Sequence, residues 1–86
     1  MKAALTLFAL IFVVHAHAAE VPSGVQCLKP LRGQGMTMED AYQACSLADA
    51  ARACVIAQQE RNVRAASGKE LANLGRQAIE KCKAMK

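Results

Sequence analysis

Four cysteines, at positions 27, 45, 54 and 82, all lie downstream of an N-terminal export signature, and this arrangement constrains the fold more than any other feature of the chain. Met1 and Lys2 form a charged start, Ala3 to Val14 an apolar core, and Ala16-His17-Ala18 a small-x-small cleavage site. The pattern reads as a signal peptide over residues 1–18, with a single domain of 68 residues, 19–86, after cleavage. A chain of that length sits near the lower limit at which an apolar core alone holds a fold. Cysteines carried out of the cytosol oxidise, so the expectation is a periplasmic or secreted protein braced by two disulfides. The apolar core of the leader is shorter than the roughly 20 residues that cross a bilayer, and no integral membrane span is expected once it is removed.

Helix signals dominate the chain beyond the leader. Residues 19–36 carry Pro22, Gly24, Pro30, Gly33 and Gly35, which punctuate the chain too often for a long helix, so an irregular segment is expected there. At most one turn of helix fits between Ser23 and Leu28, with Pro30 stopping it. Thr37, followed by Glu39 and Asp40, is a capping signature. Neither Pro nor Gly occurs from Met38 to Ala65, and alanine recurs throughout, which predicts one long helix over about 38–65. Glu60 and Arg64, four residues apart, add an expected ion pair. Ser67-Gly68-Lys69-Glu70 then breaks the helix and caps another over about 68–84, whose apolar face is expected at Leu71, Leu74, Ala78, Cys82 and Met85. The fold class expected is all-α: a small disulfide-stapled antiparallel hairpin of one long and one shorter helix, with the irregular N-terminal segment packed on it.

Helix geometry narrows the cysteine pairing. Cys45 and Cys54, on one continuous helix, would stand on opposite faces and about 13.5 Å apart along the axis. A disulfide needs Cα atoms within about 7 Å, which excludes that pair. Antiparallel segments oppose residues equally distant from a bend, and Cys54 and Cys82 are centred on Gly68 while Cys27 and Cys45 are centred on Met36. The pairs expected are therefore Cys27 with Cys45 and Cys54 with Cys82. Cys27 with Cys54 and Cys45 with Cys82 is the less symmetric alternative.

With the leader gone no histidine remains, and Tyr42 is the sole aromatic residue. This argues against Ser-His-Asp and Cys-His catalysis, imidazole zinc sites and base-stacking nucleic-acid platforms. The cysteine gaps of 18, 9 and 28 residues do not form the Cys-x-x-Cys unit of reactive dithiols, and no phosphate-binding glycine loop is present. No catalytic residue, cofactor site or metal site is expected. Ten Lys and Arg face seven Asp and Glu in residues 19–86, a mild net +3 spread along the chain.

The long helix is expected to be apolar on two sides, one with Leu47, Ala50, Cys54 and Ala57, the other with Met38, Ala41, Cys45, Ala48, Ile56 and Val63. Beyond the reach of the short N-terminal segment, Ile56 and Val63 would form an uncovered apolar strip. Together with the basic tip at Arg61 and Arg64, they are the candidate partner contacts. The functional expectation is a small exported binding protein without catalytic activity, of inhibitor, immunity or accessory-subunit type, whose partner is another protein or a second copy of the chain. The competing expectation is a cationic membrane-active or host-directed peptide, which the lack of bulky anchors opposite a dense basic face disfavours.

Overall fold

A computed structural model describes residues 20–86. The expected leader, residues 1–18, lies outside the described residues. Those described form four helices and no strand: α1 (Gly24–Gly33), α2 (Met38–Cys45), α3 (Asp49–Ala65) and α4 (Gly68–Cys82). They pair in chain order as two short hairpins, α1 with α2 and α3 with α4, and α2 lies against both helices of the second hairpin. Each hairpin carries one disulfide. Cys27 is bonded to Cys45 with Cα atoms 5.8 Å apart, and Cys54 to Cys82 at 5.7 Å. These are the pairs that symmetry about the two bends favours.

The all-α architecture matches the expectation, but two of its elements differ. The segment expected to be irregular contains α1, which continues through Pro30. Proline removes one amide donor and crowds the preceding turn. Two ties offset this: Cys27 and Leu31, one helical turn apart, are both fully buried, and the first is covalently fixed to α2. Pro30 keeps its ring on the exposed side, and its carbonyl accepts from the Gln34 amide at 2.9 Å.

The second difference is a break in the long helix at Ser46-Leu47-Ala48. Ser46 Oγ donates to the Tyr42 carbonyl at 2.8 Å, a local bond that competes with helix continuation. The Ser46 and Leu47 amides turn back to Gln43 and Ala44, closing α2 with tight i to i−3 bonds. Asp49 then opens α3, where its charge suits the positive end of the helix dipole. Had the helix run on, α1 and α4 would be held on opposite sides of it by Cys45 and Cys54. The break folds both hairpins onto one core, formed by Cys27, Leu31, Met36, Ala41, Ala44, Val55, Ala78, Ile79 and Cys82.

That core also shifts the faces expected on α3 and α4. On α3 the buried residues are Ala51, Arg52, Val55, Gln59 and Asn62, a stripe lying between the two expected apolar sides. On α4 the buried face includes Gly75 and Ile79 beside Leu71, Ala78 and Cys82, leaving Leu74 half-buried and Met85 exposed. The two carboxamides on the α3 stripe are bonded. Gln59 Nε2 donates to the Gln34 carbonyl at 3.0 Å, and Asn62 Nδ2 donates to Gln59 Oε1 at 3.0 Å. Burying a carboxamide is costly unless it is so paired. The pairs tie the α1–α2 turn to α3.

The capping signatures are realised unequally. Thr37 Oγ1 accepts from the Asp40 amide at 3.1 Å, as its sequence position implies. Ser67 occupies the N-cap position of α4, yet its side chain makes no cap hydrogen bond.

Gly35 lies where the two hairpins press together. Its φ is +89°, and a Cβ at this position would overlap the Leu71 side chain. Gly68 also has a positive φ, +59°, but open space around it. Gly35→Ala is therefore expected to lower the unfolding free energy by more than about 2 kcal/mol, combining backbone strain with overpacking. Gly68→Ala carries only the backbone cost, about 1 kcal/mol. Urea denaturation of the two variants, with Gly68→Ala as the control, checks the difference; equal losses would contradict the close packing at Leu71.

Candidate partner surface

Arg52 organises the surface on the outer side of α3. Arginine ordinarily stays at the solvent side of a helix, but Arg52 is only 8% exposed. Its guanidinium is held by four acceptors. Nη1 donates to the Leu47 carbonyl at 2.9 Å, Nε to the Pro22 carbonyl at 2.6 Å, and Nη2 to the Val21 carbonyl at 3.4 Å and to Asp49 Oδ1 at 2.9 Å. The rigid fork of donors suits such multiple binding, which a lysine cannot reproduce. One buried side chain thus stitches the α2–α3 break, the first turn of α3 and the segment at Val21 and Pro22.

Residues 20–22 form a strap along α3. Between the strap and the helix lies a shallow apolar groove of about 250 Å³, lined by Glu20, Val21, Pro22, Ala53, Ile56, Ala57 and Glu60. The far side of the strap borders a second, more polar hollow of about 270 Å³, with Ser23 and Gln26. Arg52 fixes where the strap runs, through its bonds to the Val21 and Pro22 carbonyls.

The four residues expected as partner contacts do not form one patch. Ile56 is half-buried and lines the groove, so the N-terminal segment does reach it. Val63 shares its side of the helix, seven residues on, and is 38% exposed beyond the end of the groove. Arg64 is exposed on the outer face, past Ala57 and Glu60. Arg61 stands about 200° around the helix from Val63, and its Nη2 donates to Gln58 Oε1 at 3.1 Å. The expected ion pair of Glu60 with Arg64 is not formed; among the described residues the ion pairs are Arg52 with Asp49, Arg76 with Asp40, and Lys83 with Glu80.

Sequence reasoning misses the strap and the alanines Ala53 and Ala57 that floor the groove. No pattern in Glu20-Val21-Pro22 marks it as a wall, because what places it is a hydrogen-bonding partner 30 residues away. Elsewhere, Met38 and Tyr42 are exposed one turn apart on α2, and Val25 is exposed on α1. A polar notch of about 50 Å³ lies between α3 and α4, among Gln58, Asn62, Leu74, Gln77 and Lys81. Among the described residues no group of three or more His, Cys, Asp or Glu is placed to hold a metal ion. No helix described is long and apolar enough to cross a membrane.

The fold and surface together define a small disulfide-bonded helical protein, whose formed disulfides belong to an oxidising environment. Comparison with protein-family models, curated proteins and solved structures finds no match to this chain.

Proposed function

We propose that this chain is an exported binding protein of the periplasm or secreted fraction, of inhibitor, immunity or accessory-subunit type, that engages another protein through the outer face of α3. The observation that carries this reading is the apolar groove between α3 and the strap, set on a frame cross-linked twice within 67 described residues. A rigid surface spends little conformational entropy on association, so even a small contact contributes usefully to affinity. Val63 and Arg64, exposed on α3 beyond the groove, extend the available contact area along the helix.

A photo-crosslinking amino acid at Ala57 tests this, with the same group at Lys69 on α4 as the control. Irradiation of cells exporting the protein should give a discrete adduct from position 57 and none from position 69. Absence of an adduct at 57, or equal adducts at both positions, would contradict a partner surface on α3.

A further inference from the structure

We infer that the groove receives a cationic apolar segment of the partner: a bulky aliphatic side chain seated among Val21, Pro22, Ile56 and Ala57, with a lysine or arginine beside it facing Glu20 and Glu60. This inference rests on the partner-surface reading above and specifies its chemistry. The floor and wall of the groove are apolar, and the only charged residues that line it are those two glutamates. Both are exposed, and neither belongs to any ion pair among the described residues. Elsewhere the balance has the opposite sign. Residues 20–86 hold ten Lys and Arg against seven Asp and Glu, yet no base lines this groove.

Two carboxylates beside an apolar depression attract a cation and repel an acidic segment, and the effect strengthens as the apolar contact excludes water. Size selects the kind of occupant. At about 250 Å³ the groove falls below the range of about 300–1,000 Å³ typical of small-molecule sites, and it is open along its length. It suits one or two side chains of a longer segment. Arg52 acts here as a positioning residue, since it sets the strap that carries Glu20, Val21 and Pro22 beside α3.

Three fluorescein-labelled peptides test the inference on the oxidised, exported protein: Ala-Lys-Leu-Leu-Lys-Ala and its counterparts with Gln or Glu in place of Lys. Fluorescence anisotropy at low salt should show the Lys peptide binding at least tenfold more tightly than the Gln peptide, and the Glu peptide binding most weakly. The preference should largely disappear in 0.5 M salt, where exposed charges are screened. The double variant Glu20→Lys/Glu60→Lys should reverse the order, while Lys69→Glu, outside the groove, should leave it unchanged. Both glutamates are exposed, and circular dichroism verifies that the reversed variant keeps its helices.

Charge-blind binding, an order unaffected by the reversal, or no binding of any peptide would overturn the inference. So would a dimer in sedimentation equilibrium that Glu60→Lys dissociates, because the groove would then belong to a second copy of the chain. A position-57 adduct together with charge-blind peptides would leave the partner surface standing and remove only the cationic requirement. Loss of both results would remove the two together.

Discussion

Replacing Cys54 and Cys82 together by alanine will lower the unfolding free energy by about 3 to 4 kcal/mol, and replacing Cys27 and Cys45 will cost about 3 kcal/mol. The cross-links span 28 and 18 residues, and in the chain-entropy model each removes freedom from the unfolded chain in proportion to the logarithm of its loop. Paired substitution avoids leaving a lone buried thiol, whose own chemistry would complicate the comparison. Small domains have total stabilities near the low end of about 5–15 kcal/mol, so losing both bridges should leave the chain largely unfolded at 25 °C. Urea titrations followed by circular dichroism measure all three variants. A four-alanine variant that keeps its helical signal and unfolding midpoint would contradict the proposal that the bridges brace the fold.

The two bridges should also differ in what they release. Helix α1 buries Cys27 and Leu31 in the core, with Leu28 packed at its edge, and it must accommodate Pro30. Without the bond to Cys45, α1 is expected to open before the rest of the domain, as a local event of low free energy. The second hairpin has the larger helix pairing, so losing Cys54–Cys82 should instead lower the global midpoint. Amide exchange resolves the distinction, through early loss of protection in α1 alone for the first variant.

Arg52→Met is expected to cost about 3 kcal/mol and to free the strap. It removes donors from the Leu47, Pro22 and Val21 carbonyls and leaves Asp49 without its ion-pair partner. Removing the buried guanidinium leaves three main-chain carbonyls without their charge-assisted donor, and this sets the size of the loss. Asp49 is highly exposed, and water compensates it at little cost. The larger consequence is local. The order parameter of the Val21 amide should fall from a rigid value near about 0.85 to below about 0.6. Arg52→Lys should lie between the two, since one ammonium cannot reach all four acceptors. A strap as ordered in Arg52→Met as in the parent would show that other contacts hold the groove open.

Much of this architecture is legible in the residues themselves. The absence of Pro and Gly between Met38 and Ala65, the cap at Thr37 and the bend at Gly68 point to helices, and the symmetry of the cysteines about Met36 and Gly68 favours the observed pairing. The break at Ser46-Leu47-Ala48 is hidden because every residue there tolerates a helix. Its causes are two local bonds, from Ser46 Oγ to the Tyr42 carbonyl and from Arg52 to the Leu47 carbonyl, made by residue types that also occur within unbroken helices. Ser46 with Asp49 three residues later is the one local hint. Helix α1 is hidden for the opposite reason: local breakers argue against it, and a disulfide with the burial of Leu31 outweighs them.

The candidate surface is legible only in part. Ile56 draws attention as an aliphatic residue outside both expected packing partners, and it does line the groove. Gln59, Asn62 and Arg52 disguise the buried face of α3 because polar side chains normally mark the solvent side. Here hydrogen bonds to main-chain carbonyls and to one another make burial tolerable, and the core face passes through them. Arg61 and Arg64 are neighbours of Val63 in sequence, but the helix turns Arg61 away from it.

Mass spectrometry of the protein purified without reductant, after denaturing, non-reducing trypsin digestion, tests the central claim most directly. Cleavage at Arg32, Arg52, Arg61, Lys81 and Lys83 puts the four cysteines in separate peptides, ending with the dipeptide Cys82-Lys83. The masses should show the peptide containing Cys27 linked to residues 33–52, and residues 53–61 linked to 82–83. Four alkylatable thiols, or a linkage of Cys27 to Cys54, would contradict two separately stapled hairpins.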